Sequence, residues 1–357
     1  MTSAIASAAR STLANRRAVG GVALLAAATA LVAAAGVWGS FPSLLRGWLV
    51  GFAIWSAIPI GSMAWLMIHR LTGGRWGVAA APVLRLAASI MPLSILAFLP
   101  PVVGFQQIYP WAADPAQIPH DVARWYLNGA LFALRSCIAL AGWTLLGLVF
   151  AAGLGSRLLA GLGLAFFGLT VSLAAVDWYL SLEPHYVASA FAATIAIQQL
   201  LAALALTAVL APPQIEGNVA GDIGGLLIAT LLGVVYLGYM TFVVAWYGDL
   251  PDKAEWFLKR STPVWDNVLI MALLLGALLP FAMLLLRSIR TSRLGLRIAG
   301  SLILIGSALH FCWLLVPAFE HAVAVAASAT ASLMVMAVAT VLSGVAVRPL
   351  IGVHHAE

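Results

Sequence analysis

Apolar segments of about 20 residues recur along the whole chain, at 19–40, 47–68, 84–104, 126–152, 158–180, 187–211, 223–247, 266–287, 296–316 and 322–346. A helix of that length rises about 1.5 Å per residue, enough to cross a hydrocarbon core of roughly 30 Å. No stretch alternates apolar and polar residues strongly enough to read as a barrel strand. The expected fold is therefore all-α, a polytopic membrane protein of about ten transmembrane helices. Composition excludes the alternatives, because 63% of the 357 residues are apolar and 8% are charged. A soluble domain is roughly a quarter charged, and disorder needs low hydrophobicity with high charge. Pro59, Pro92 and Pro280 fall inside segments, where a missing N–H is expected to kink a helix.

The basic residues are distributed unevenly. With the N-terminus inside, Arg10, Arg16, Arg17, Arg70, Arg75, Arg85, Arg157, Arg287, Arg290, Arg293, Arg297 and Arg348 fall on the inner side. Arg46, Arg124, Lys253, Lys259 and Arg260 fall outside, and Arg135 lies within a segment. The positive-inside rule then places both termini in the cytoplasm. It also accounts for the net charge of +6 without invoking nucleic acid. Residues 1–18 read as a cytoplasmic tail, 19–346 as one transmembrane domain and 347–357 as a second tail. The segment 19–40 is expected to be a retained helix rather than a cleaved leader, since it is long enough to span. The register of the segments is compatible with two parallel four-helix repeats over 47–180 and 187–316, although no internal sequence match supports them. Cys137 and Cys312 both lie in apolar runs, so no Cys-ligated cluster is available, and no CxxCH haem motif occurs. No metal site is expected, and any redox metal must belong to another chain.

Polar groups in the segments are the candidate functional residues, because lipid tolerates them only beside a partner or a cavity. Arg135 is expected about nine residues inside the outer end of its segment, roughly 13 Å deep, with Asn128 on the same face. Asp177 is expected roughly 5 Å deep in the next segment, which makes an Arg135–Asp177 pair the natural expectation. Such a pair is either interhelical glue or part of a site. His310, His185 with Glu183, and Asp249 fall in the same outer half, and Gln198 and Gln199 near the midplane. Tyr236, Tyr239 and His69 are assigned to the inner half. This asymmetry points to a polar cavity opening outward. Bis-histidine haem ligation is disfavoured, since no two histidines fall on facing helices at one depth.

Four stretches resemble one family: IPIGSMAWLMIHRLTGGRWG (58–77), RWYLNGALFALRSCIALAGW (124–143), VDWYLSLEPHY (176–186) and VVAWYGDLPDKAEWFLKR (243–260). They are similar to the ActF-type membrane subunit of bacterial alternative complex III, a quinol:cytochrome c oxidoreductase, within the NrfD or polysulfide-reductase membrane-subunit superfamily. The resemblance covers about 47–316. It implies two four-helix bundles with peripheral first and last helices. It also implies partners: a homologous membrane subunit, a periplasmic iron–sulfur protein and c-type cytochrome subunits. Quinol is the implied redox ligand, with iron–sulfur clusters and c-type haem held only by those partners and no covalently bound cofactor here. Motif positions carried across are Tyr126, Asn128, Arg135, Asp177, Trp178, Ser181, Glu183, Pro184, His185, Trp246, Gly248, Leu250, Pro251, Glu255 and Trp256. The chain departs from the family pattern at Thr241, Val187, Ala188 and Asp249, where the family usually carries Asn before Leu-Pro.

Quinol oxidation needs an apolar slot, a hydrogen-bonding group at each oxygen and a base for the protons. Arg135, Asp177, His185, Glu183, Asp249 and His310 are the candidates for a quinone site or proton path, with Asn128, Trp178, Pro184 and Pro251 as structural motif residues. Two other functions fit the same sequence. One is a structural or proton-conducting subunit whose sister chain hosts the quinol. The other is an ion-coupled secondary transporter, which needs no redox partner.

Overall fold

The computed structural model describes residues 40–352. Among them nine helices are long and apolar enough to cross a membrane, and there is no strand. They are α1 (Phe41–Thr72), α2 (Arg75–Val103), α3 (Gly129–Ala151), α4 (Arg157–Leu182), α5 (Phe191–Leu210), α6 (Gly217–Tyr247), α7 (Pro263–Leu285), α8 (Arg293–Ala318) and α9 (Ala322–Ser343). The chain is an all-α polytopic membrane protein. The segment 19–40, expected as a first helix, and the tails 1–18 and 353–357 lie outside the described residues.

Helix α1 packs on α2, α3 and α4, while α5 packs on α6 and α8, and α7 packs on α8. Two four-helix groups result, joined where α1 lies along α5. Glycine makes that join possible: a Cβ at Gly61 would strike the backbone carbonyl of Gln199. Small residues also seat the last helix. A Cβ on Gly47 or Gly51 would collide with the Ser328, Ala329 and Ser332 region of α9, the close small-residue contact that helices use in lipid, where no hydrophobic effect drives association. Trp55 Nε1 donates to Thr340 Oγ1 at 2.8 Å across the same contact. The last helix is thus fastened along most of α1, and α1 is the most enclosed of the spans.

The prolines act differently from one another. The regular ladder of α2 is interrupted at Ile90, just before Pro92, and resumes from Met91, with Leu93 N donating to Ile90 O across the break. Helix α1 continues through Pro59. In α7 a single π-helical turn, Leu274–Leu278, precedes Pro280, and Leu279 N donates to Leu274 O. Pro280 has no N–H to give to the carbonyl four residues earlier, that of Gly276, so the regular ladder cannot run through this point. Opposite the turn, Gly276 meets Gly306 of α8 so closely that a Cβ on either would collide with the other's backbone.

One face of the molecule carries the long connections 104–128, 183–190 and 248–262, and the opposite face carries the arginine-rich short turns. The two longest connections occupy equivalent places, each between the second and third helix of its group. The first packs Tyr109 and Trp111 into its bundle, both buried. The second forms the short helix Pro251–Leu258 and buries Trp256 and Arg260.

Candidate functional site

The two bundles differ in what fills them. In the first, Phe52, Phe98, Phe132 and Trp178 meet in the interior, with ring centroids 4.3 Å apart for Phe98–Trp178 and 5.0 Å for Phe52–Phe98. In the second, Gly238, Ala272, Gly276, Ala277 and Gly306 line the space, and a cavity of about 400 Å³ remains. That volume lies in the range of small-molecule sites, roughly 300–1,000 Å³.

The filled bundle holds the charged pair expected from sequence. Arg135 Nε and Nη2 reach Asp177 Oδ2 and Oδ1 at 2.6 and 3.0 Å, a bidentate fork. Arg135 Nη2 also donates to Tyr126 O at 2.9 Å, and the guanidinium lies 4.2 Å from the Tyr126 ring centroid. Asp177 is 1% exposed. Burial, with the Asp177 charge adding, pushes the Tyr126 phenol up to about 12 against the opposing pull of Arg135. Around the pair, Trp178 Nε1 donates to Ser136 Oγ, Ser181 Oγ to Asp177 O, Trp111 Nε1 to Ser181 Oγ and Tyr109 OH to Trp178 O. These partners come from α3, α4 and the 104–128 connection, so the network ties the three together. Neither Arg135 nor Asp177 lines the cavity of the second bundle.

Two expectations about this region are corrected. The helix begins at Gly129, not 126, so Arg135 sits six residues in, roughly 9 Å by rise. Asn128 precedes the helix rather than lying in it: it is the N-cap, accepting from Leu131 N and donating to Arg124 O.

A second ion pair closes the cap of the hollow bundle. Arg260 donates from both terminal nitrogens to the Glu183 carboxylate, and from them also to Trp256 O at 3.0 Å and Leu314 O at 2.9 Å. Lys259 Nζ approaches Glu183 Oε1 at 3.2 Å. The Arg260 guanidinium lies 3.6 Å from the Trp256 ring centroid, and Tyr186 stacks on Trp256 at 4.5 Å and 13°. Burial pulls the Arg260 pKa down and Glu183 pushes it back up. Burial also raises the Tyr186 phenol to about 12. Sequence reading placed Arg260 among ordinary loop cations. The signal available was its i, i+4 relation to Trp256 and the acidic residue in the preceding loop.

From this cap a ring path leads inward. Trp313 meets Trp256 edge-on at 5.5 Å and stacks with His310 at 6.0 Å and 14°. Gln198 Nε2 donates to His310 Nδ1 at 2.6 Å, which places the proton of the neutral imidazole on Nε2. Gln198, His310 and Trp313 all line the cavity. Gln198 Oε1 and Trp313 Nε1 are buried and have no hydrogen-bond partner among the described residues. One is an acceptor and the other a donor, and such orphaned groups cost free energy unless something meets them. Tyr239 lines the same cavity and so belongs to the loop-rich half with His310, not to the inner half as expected from sequence.

The cavity has a lateral side. Helix α6 packs on α7 mainly through Leu279–Leu285 and the following Arg287–Arg290 turn, while the Pro263–Leu273 half of α7 turns to α8. Val235, Tyr239, Phe242 and Leu273, which line the cavity at this gap, are all exposed. His185 and Asp249 are exposed and line no part of the cavity. Asp249 serves the backbone instead. Its φ of 44° is in the left-handed region that Asn and Asp tolerate best. Pro184 is half-buried between Glu183 and His185, and Pro251 starts the short helix of the second cap.

These features define a polytopic helical membrane protein with one bundle filled by aromatic rings and one left hollow. The chain matches no protein-family model and no curated protein.

Proposed function

We propose that this chain is the quinone-interacting membrane subunit of a respiratory quinol-oxidising complex of the alternative complex III type, and that the quinone head group sits in the α5–α8 cavity. The observation that carries the reading is the pairing of an apolar cavity, laterally accessible from the lipid-facing surface, with one orphaned acceptor and one orphaned donor. A quinol hydroxyl suits Gln198 Oε1, and a quinone carbonyl suits Trp313 Nε1. His310, whose Nδ1 accepts from Gln198, carries its proton on Nε2 and can donate it in a hydrogen bond to a quinone oxygen. Oxidation of the quinol to the quinone releases two protons and two electrons. Iron–sulfur clusters and c-type haem of the partner chains take the electrons, and the protons leave toward the loop-rich side. By the positive-inside rule that side faces the periplasm and both termini face the cytoplasm. The buried cap beneath 248–262 and the exposed aromatic end of α6, with Trp246 and Tyr247, suit docking of a periplasmic partner. The homologous membrane subunit then lies against the bilayer-facing flank.

Two substitutions test the assignment in the assembled complex. His310→Leu removes a polar partner without adding bulk and is expected to lower quinol oxidation by roughly 5- to 150-fold, the cost of leaving one buried group unsatisfied. Gly238→Phe is expected to plug the cavity while the fold persists, because a Cβ there meets nothing within 4 Å. Gly225→Phe, equally open but outside the cavity, is the control and is expected to leave turnover unchanged. Full quinol oxidation by His310→Leu and Gly238→Phe complexes would move the quinol site to the sister subunit.

A further inference from the structure

Oxidation of a quinol in the second bundle releases two protons, and the groups that meet its oxygens do not take them up. Gln198 Oε1 is an amide oxygen, which accepts a hydrogen bond without becoming the resting place of a proton. His310 accepts from Gln198 through Nδ1 and carries its proton on Nε2, so both ring nitrogens are committed. The acids Asp177 and Glu183 are held in forks by Arg135 and Arg260. The base has to come from elsewhere in the cavity wall. We propose, on the basis of the quinone site described above, that Asp266 is that base, taking each quinol proton and releasing it to water on the loop-rich side.

Asp266 sits in the first turn of α7, just after the N-cap Thr262. It lines the cavity and is exposed. Among the described residues it is the only aspartate or glutamate in the cavity wall. No ion pair engages its carboxylate among those residues, in contrast to Asp177 and Glu183. The other charged or titratable groups of the wall are Arg260 from the cap, Tyr239 from α6 and His310 from α8. Arg260 spends its terminal nitrogens on Glu183, Trp256 O and Leu314 O. Asp266 is therefore the wall's one carboxylate without a cation clamped to it.

Helix register sets its height. Gly276 of α7 meets Gly306 of α8, and both line the cavity. Asp266 lies ten residues from Gly276 toward the loop-rich face, roughly 15 Å along the helix. His310 lies four residues from Gly306 in the same direction, roughly 6 Å. Asp266 thus stands about 9 Å nearer the loop-rich face than His310 by helix rise. At that separation a proton reaches it through water in the outer half of the cavity. The Ser261 hydroxyl lines the same wall, donates to Phe257 O at 3.1 Å and keeps its lone pairs to accept from such a water. In one turnover two quinol O–H bonds break, and their protons pass in succession to an Asp266 oxygen and on to the solvent. The two electrons go to the iron–sulfur and haem groups of the partner chains.

The test uses the assembled complex in native membranes, with duroquinol as the substrate. Asp266→Asn keeps the side-chain shape and removes the base. Its kcat is expected to fall about 100-fold or more, the usual yield of a positioned acid or base, with KM unchanged. Asp266→Glu is expected to restore most of the rate. Added acetate is expected to restore part of the rate of Asp266→Ala and to leave the native rate unchanged. A first-turn carboxylate that only complemented the helix dipole would give no such recovery by acetate. Asp249→Asn, an exposed carboxylate of the same face outside the cavity, is the control, since asparagine tolerates its positive φ. Its turnover is expected to match the native complex. Bound quinone is read separately, as competition for a photoreactive quinone analogue on this chain. Native kcat in Asp266→Asn, a loss that neither glutamate nor acetate recovers, or an equal loss in Asp249→Asn would overturn the role of Asp266 while quinone binding persists. Absence of a competable label from the native chain would instead remove the quinone site, and the role of Asp266 with it.

Discussion

Replacing Arg135 by leucine is expected to destabilise the folded chain by about 3–5 kcal/mol, the cost of leaving a buried carboxylate without its partner. Asp177 is 1% exposed and takes both oxygens' charge-assisted bonds from Arg135. With the guanidinium gone, its carboxylate keeps the hydrogen bond to the Tyr126 side chain but loses the fork. The double variant Arg135→Leu/Asp177→Leu is expected to recover most of the loss, since a matched apolar pair often equals or exceeds a buried ion pair in stability. Thermal unfolding in a mild detergent compares the three proteins. Recovery of stability together with intact quinol oxidation would assign the pair to architecture alone. Recovery of stability without turnover would assign it a part in proton movement as well.

Arg260→Leu is the second large effect, again about 3–5 kcal/mol. This guanidinium is 1% exposed and bonds a carboxylate, Trp256 O and Leu314 O. Its loss leaves Glu183 with Lys259 alone among the described residues, a partner on the solvent side, and removes the cation from the face of Trp256. Because Trp256 touches Trp313, which lines the cavity, the damage reaches the proposed ligand site as well as the fold. The two single losses are expected to add in an Arg135→Leu/Arg260→Leu protein, since the two pairs share no partner. Lysine at 260 is not an adequate substitute, because one ammonium cannot reproduce the fork and two carbonyl contacts at once. Limited proteolysis of the 248–262 connection gives a local readout, with faster cutting expected in Arg260→Leu than in the native chain.

The spans were legible because lipid imposes a single requirement, a long apolar helix, and each apolar run within the described residues became one. Arg135 and Asp177 were legible as a pair for the same reason: two charges within neighbouring spans at similar depth have few other partners. Arg260 was not legible, because a cation in a loop ordinarily lies in water, and only the fold brings Glu183 and Leu314 to it. Gln198 and His310 stood out singly as polar residues in spans. Their contact depends on how α5 and α8 are rotated, which hydropathy does not encode. The cavity was the least legible part. It arises from side chains that are missing, at Gly238, Gly276 and Gly306, and small residues in a span read equally well as tight helix packing. In the case of Gly276 against Gly306 both readings hold, since the contact that closes α7 on α8 also forms the floor of the hollow.

The central claim is that the hollow second bundle of this chain takes a quinone head group. Photolabelling of native membranes with a photoreactive quinone analogue, followed by peptide mapping, tests it most directly. The account predicts labels on α6, α7 and α8 around Gly238, Leu273 and His310, and their loss on competition with excess quinone. Labels confined to another chain, or no competable label on this one, would contradict it.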